Sequence, residues 1–120
     1  MIKLAFVFTQ PPYGTAASRE GLDALLAATA FCDESEIAVF FLDDGVFNLI
    51  ANQQSEKILQ KNVSQPFKLL ELYDIEQRYL CQQSVQALHL EKANWLLDCE
   101  ILPRAALMEK LQQAEKVLTF

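Results

Sequence analysis

The chain opens with a nearly unbroken apolar run, Ile2, Leu4, Ala5, Phe6, Val7 and Phe8. Branched and aromatic residues without polar alternation suit a central parallel strand covered on both faces. A loop follows, Thr9-Gln10-Pro11-Pro12-Tyr13-Gly14, and then Leu22, Leu25, Leu26 and Thr29 recur at i, i+3, i+4 and i+7 beside Arg19, Glu20 and Asp23. That spacing predicts an amphipathic helix, with Thr15 or Ser18 capping it by accepting from N–H groups of its first turn. Together these form the first half of a βαβ unit. The loop falls at the carboxyl end of a central strand, where open α/β sheets place their binding sites.

The pattern then repeats. Asp33-Glu34-Ser35-Glu36 is a polar turn, and residues 37–42 are a second continuous apolar run that ends at Asp43-Asp44-Gly45, a second buried strand and its turn. Val46, Phe47, Leu49 and Ile50 predict a brief helix or packed loop, and residues 56–60 a helical turn. After Pro66, the apolar residues Phe67, Leu69, Leu70, Leu72 and Tyr73 predict a compact helix, its proline tolerated at or before the first turn. Because they cover more than one face, that helix should meet the sheet on one side and another subunit on the other. Residues 75–81 predict a third strand and 84–90 a helix. Trp95-Leu96-Leu97, with Ile101 and Leu102 behind, predict a fourth strand and its exit. Pro103 opens a helix carrying Ala106, Leu107, Leu111 and Ala114, and residues 117–120 make a fifth strand. The expected fold is a single α/β domain over residues 1–120, with a mostly parallel five-stranded sheet and helices on both faces.

Composition narrows the classes. Among 120 residues, 52% are hydrophobic, enough for one ordinary core, yet no apolar run approaches the ~20 residues of a membrane span. Three cysteines, Cys32, Cys81 and Cys99, contain no CxxC, and the first strand follows Met1 directly, so a reducing cytoplasm is the expected setting. A net charge of -6 opposes a sequence-independent grip on nucleic-acid phosphates.

Most chemical motifs are absent. Three glycines provide neither GxGxxG nor a P-loop, although N–H groups at the first helix start could hold an anion or a thiolate. Asp43-Asp44-Gly45 has the look of an acidic magnesium pair, but a strand-ending turn is the preferred reading, and Thr9-Gln10 does not complete a phosphoacceptor site. The three cysteines and His89 lack zinc spacing, so neither metal nor cofactor is expected. Cys81, at the end of the third strand and the start of a helix, is the candidate catalytic residue, because helix N–H dipoles there favour thiolate. Its local charge is limited to Arg78, three residues back. Cys32 and Cys99 read as packing residues.

Ala5-Phe6-Val7-Phe8 followed by Gly14-Thr15-Ala16-Ala17-Ser18-Arg19-Glu20-Gly21-Leu22-Asp23-Ala24-Leu25-Leu26 resembles the DsrE/DsrF-like sulfur-relay family, on its DsrF-like side. So do Ala38-Val39-Phe40-Phe41 with Asp44-Gly45-Val46-Phe47, and Phe67-Lys68-Leu69-Leu70 with Leu72-Tyr73-Asp74-Ile75-Glu76. The resemblance implies assembly with TusB-like and TusD-like subunits as a dimer of heterotrimers. Persulfide sulfur would come from a TusA-like donor and pass to a TusE-like acceptor, towards 2-thiouridine at the tRNA wobble position. In this family the persulfide-carrying cysteine belongs to the TusD-like partner, and Cys81 falls at or beside the corresponding position. The resemblance thus implies an accessory subunit, with a Cys81 sulfurtransferase or a subunit for dissimilatory sulfur oxidation (DsrEFH type) as alternatives. Val46, Phe47, Phe67, Leu70 and Tyr73 are the expected interface residues. The acidic chain by itself should show no saturable tRNA binding in a filter assay at physiological salt, since ten scattered Lys and Arg residues release few counterions.

Overall fold

The computed structural model describes residues 2–50 and 65–120. Five strands, β1 (Leu4–Phe8), β2 (Ile37–Phe41), β3 (Gln77–Cys81), β4 (Glu100–Leu102) and β5 (Lys116–Thr119), form one sheet in the order β4-β3-β2-β1-β5. Every neighbouring pair is parallel. The helices are α1 (Ala17–Ala28), α2 (Leu69–Leu72), α3 (Gln82–Ala87) and α4 (Arg104–Gln113), with 3-10 segments at Glu34–Glu36, Asp43–Leu49 and Gln65–Lys68.

The strand order dictates the layers. The chain steps one way from β1 to β4, then returns across the sheet to place β5 beyond β1. Right-handed crossovers put the helices of the outward steps on one face and the return helix on the other. The packing agrees: Leu22 and Leu25 of α1, Leu70 of α2 and Val85 of α3 share a core with Phe6, Phe8, Val39 and Phe41. Leu107 of α4 shares the opposite core with Val7, Phe40, Tyr79 and Cys81. β1 and β2 are buried on both faces, which explains their continuous apolarity. At the edges, β4 and β5 are mostly exposed.

Several local expectations change. The fourth strand is Glu100–Leu102 rather than the run beginning at Trp95. Trp95 makes an isolated antiparallel bridge to Ile50, and Leu97 is buried in the α1-side core. The apolar run therefore packs, while the ladder uses an edge segment that has no need of apolarity. Ser18 does not cap α1. It is buried inside the helix, and its hydroxyl lies within hydrogen-bonding reach of the Gln10 and Pro11 carbonyls at 3.0 and 3.2 Å, fastening the β1–α1 loop. Thr15 Oγ1 accepts from the Ala17 N–H at 3.3 Å. The helix expected at 84–90 is Gln82–Ala87, and His89 just after it has a left-handed φ of 56°. The helical turn expected at 56–60 lies outside the described residues.

The expected interface set also changes. Val46, Phe67 and Leu70 are buried in the chain's own core, because the segments carrying them close over Phe8 and Phe41. Phe47 is half-buried. Tyr73 remains 43% exposed beside Leu72 at 73%.

One glycine position is set by a close approach. A Cβ on Gly45 would overlap the Phe8 carbonyl oxygen, which already accepts from the Leu42 N–H at 3.0 Å. Gly45→Ala should therefore lower stability by about 3 kcal/mol, the upper end for overpacking, read as a fall in the urea midpoint at constant slope.

Candidate functional site at the carboxyl edge of the sheet

In this topology β3 is followed by a helix on one face and β4 by a helix on the other. The carboxyl ends of β3 and β4 thus flank the point where connections diverge, the position at which open α/β sheets form a crevice. The sequence also placed the β1–α1 loop at the carboxyl end of a central strand. That loop lines only a surface hollow, with Pro12, Tyr13, Gly14, Thr15 and Arg19 at its wall.

Cys81 ends β3 and pairs in register with Leu102 of β4. Strand alternation turns its side chain to the α4 face, where it packs in the core of Tyr79 and Leu107 and is 0% exposed. It precedes the first residue of α3 but makes no side-chain capping bond. Its sulfur lies 3.9 Å from Gln83 Oε1. The same oxygen accepts from the Arg104 backbone N–H at 2.8 Å. Arg104 in turn donates from Nη1 to Asp43 Oδ1 at 3.1 Å. The hydrogen bond and the charge of Asp43 hold the Arg104 guanidinium above its ordinary pKa, and the adjacent Cys81 sulfur adds to the effect.

Asp43 sits at φ 52°, a left-handed conformation that aspartate tolerates better than most residues. Its backbone N–H donates to Ser84 Oγ at 2.8 Å. The carboxyl ends of β2, β3 and β4 are thus tied together around one sulfur. Of the acidic pair, Asp43 is engaged by Arg104 while Asp44 is exposed. Among the described residues, no group of three or more His, Cys, Asp or Glu is placed to hold a metal ion.

The structure separates Cys81 from the cation adjacent in sequence. Arg78 donates instead to the Asp98 and Ile75 carbonyls and acts electrostatically on Cys99. Sequence reasoning missed Arg104. The available signal was its position immediately after Pro103, at the start of the helix expected there. Cys99 lies just before β4, away from Cys81, and burial pushes its thiol up to about 12 despite the opposing pull of Arg78. Cys32 is half-buried against the α1-side core.

With sheet order and edge geometry established, comparison identifies the class. The model of the DsrE/DsrF-like family matches residues 2–120, and the chain belongs to that family. The crystal structure of the ychN protein from E. coli superposes with a TM-score of 0.81 over 100% of both chains at 20% identity, a likeness of fold. More particularly, the chain is similar to the protein TusC homologs of Pasteurella multocida (strain Pm70) and Haemophilus influenzae (strain ATCC 51907 / DSM 11121 / KW20 / Rd). The identities are 59% and 55% over 119 residues, covering 99% of this chain and 100% of each relative. No helix among the described residues is long and apolar enough to cross a membrane.

The Cys99 thiol carries a pH signature. Its folded pKa lies above the ordinary thiol value of 9.0, so its contribution is fully present below pH 9 and is lost as pH rises towards about 12, because the unfolded chain releases the proton at lower pH. Urea midpoints measured from pH 8 to 11 should fall less steeply for Cys99→Ala than for the parent chain.

Proposed function

We propose that this chain is an accessory, partner-binding subunit of a TusBCD-type sulfur-relay complex in the cytoplasm. In this reading one DsrE/DsrF-like domain spans residues 1–120. It joins TusB-like and TusD-like subunits in a dimer of heterotrimers that takes persulfide sulfur from a TusA-like donor. The complex delivers that sulfur to a TusE-like acceptor, towards 2-thiouridine at the tRNA wobble position. Similarity to the TusC homologs supports the subunit type.

One observation carries the accessory role: Cys81 has no exposed surface. A relay sulfur must be reached by an incoming thiolate and then attacked in turn, each time along the S–S axis. A sulfur enclosed by Tyr79, Leu107 and Gln83 offers no such approach, which supports the family pattern in which the TusD-like partner carries the persulfide. Leu72 and Tyr73, adjacent and exposed at the end of α2, together with Phe31 at 89% exposure, supply apolar surface for partners. A second reading, Cys81 as a persulfide carrier in its own right, is favoured by its place at the carboxyl end of β3 immediately before the first residue of α3.

Reconstitution decides between them. Labelled sulfur is followed from a persulfidated TusA-like donor through the complex to the TusE-like acceptor, with mass spectrometry locating the added sulfur. Cys81→Ser should leave assembly intact and reduce transfer only slightly, whereas replacing the TusD-like cysteine should abolish it. Loss of transfer in an assembled Cys81→Ser complex would make this subunit a second carrier and overturn the accessory reading.

A further inference from the structure

The two edges of the sheet are finished differently. β4 is three residues long, begins at Glu100 close behind Asp98 and runs into Pro103, and short, charged or proline-bounded edges resist further pairing. β5 carries no such guard beyond Lys116 at its start. Its bonds to β1 show which backbone groups remain at the open edge. The Lys116 N–H donates to the Lys3 carbonyl at 2.9 Å and the Phe120 N–H to the Val7 carbonyl at 2.7 Å, so residues 116, 118 and 120 turn their backbone groups inward. By strand alternation Val117 and Thr119 turn theirs outward. Among the described residues no strand lies beyond β5. The Val117 and Thr119 side chains stand on the α4 face, beside Ala5 and Val7 of β1, and Val117 is 42% exposed there.

We propose that the open edge of β5 is a contact between two copies of this chain, in which β5 pairs antiparallel with its counterpart about a two-fold axis at Leu118. The register follows from which groups are free. Hydrogen-bonded pairs must join outward-facing residues, and an axis at Leu118 sets Val117 against the partner's Thr119 and Thr119 against the partner's Val117. An axis one residue earlier would call on Glu115, whose N–H is already given to the Ile2 carbonyl at 3.1 Å. In the Leu118 register the edge is self-complementary. Both members of each outward pair are β-branched, a type that packs well across strands. The two Lys116 residues fall four positions out of register, about 14 Å apart along the strands, beyond the Debye length of about 8 Å at physiological salt. Such an isologous contact closes at two copies. One strand a side falls short of the ~1,200 Å² of a standard-size interface, so pairing of the isolated chain is weak. The contact goes beyond the subunit role proposed above, in which two copies of this chain are present in each complex, and it can fail without affecting sulfur transfer.

The test uses the full-length chain at physiological salt. Sedimentation velocity should show a concentration-dependent equilibrium between monomer and dimer. Val117→Pro removes an outward N–H that the chain's own sheet does not use, so it should raise the dimer dissociation constant at least tenfold while the urea midpoint stays near that of the parent. Leu118→Cys checks the register. Directly opposite residues of a non-hydrogen-bonded pair have Cα atoms about 4.5 Å apart, within disulfide range, so diamide should join two Leu118→Cys chains through that position. The two thiols give their two protons and two electrons to the diamide as the S–S bond forms. Val117→Cys lies two residues out of register with its own copy, beyond the ~7 Å limit between Cα atoms, and should cross-link at least tenfold less, with peptide mass spectrometry assigning each disulfide. A parent chain that stays monomeric up to about 1 mM would overturn the contact and leave the edge to a strand of a different protein. A dimer that Val117→Pro leaves unchanged, or equal cross-linking at the two positions, would overturn it as well.

Discussion

The carboxyl edge of this protein depends on one close approach, the backbone of Gly45 against the carbonyl of Phe8. No side chain fits there, and its absence lets the 3-10 segment Asp43–Leu49 fold directly over the end of β1. From that seat Val46 and Leu49 enter the core beside Phe8 and Phe41. Asn48 donates through Nδ2 to the Gln10 and Gly45 carbonyls, both at 2.9 Å, which ties the β1–α1 loop to the same segment. Asp43, held at positive φ where the segment begins, is presented towards β3 and α4. Moving Gly45 away from Phe8 would shift the core residues and Asp43 together.

Sheet order determines what this edge can do. Three outward crossovers and one return leave α4 covering the second face, and the divergence between α3 and α4 opens at the ends of β3 and β4. Cys81 lies at that divergence, but strand alternation points it under α4. The thiol therefore occupies the place where α/β sheets do chemistry while being packed as a core residue. Position and access are separate properties here, and the accessory role we propose rests on access.

The cysteines show how differently burial acts. Cys99 is desolvated strongly enough to raise its pKa to about 12, and a neighbouring arginine does not offset this. Buried in an apolar site without full compensation, such a thiol stays protonated and behaves as a packing group. Cys81 is also enclosed, with the Gln83 carboxamide oxygen 3.9 Å from its sulfur.

Much of this fold was legible in the amino-acid pattern, because burial on both faces leaves an unmistakable trace. The runs at β1 and β2, the α1 stripe and the helix after Pro103 all appear where the periodicity predicts them. Edge strands leave a weaker trace, and the apolar Trp95-Leu96-Leu97 drew the fourth strand away from Glu100–Leu102, since apolarity reports burial and not ladder pairing. The same limit applied to Val46, Phe67 and Leu70: sequence established that they were apolar, but only packing decided that the chain's own core uses them. Cys81 was recognisable as the chemically interesting thiol from its strand-to-helix position. Its side-chain direction and its link through Gln83 to Arg104, 23 residues further along, depend on which strands become neighbours and which face each crossover takes. Those are properties of the tertiary fold, since residues distant in sequence acquire a shared electrostatic environment only when the sheet brings them together.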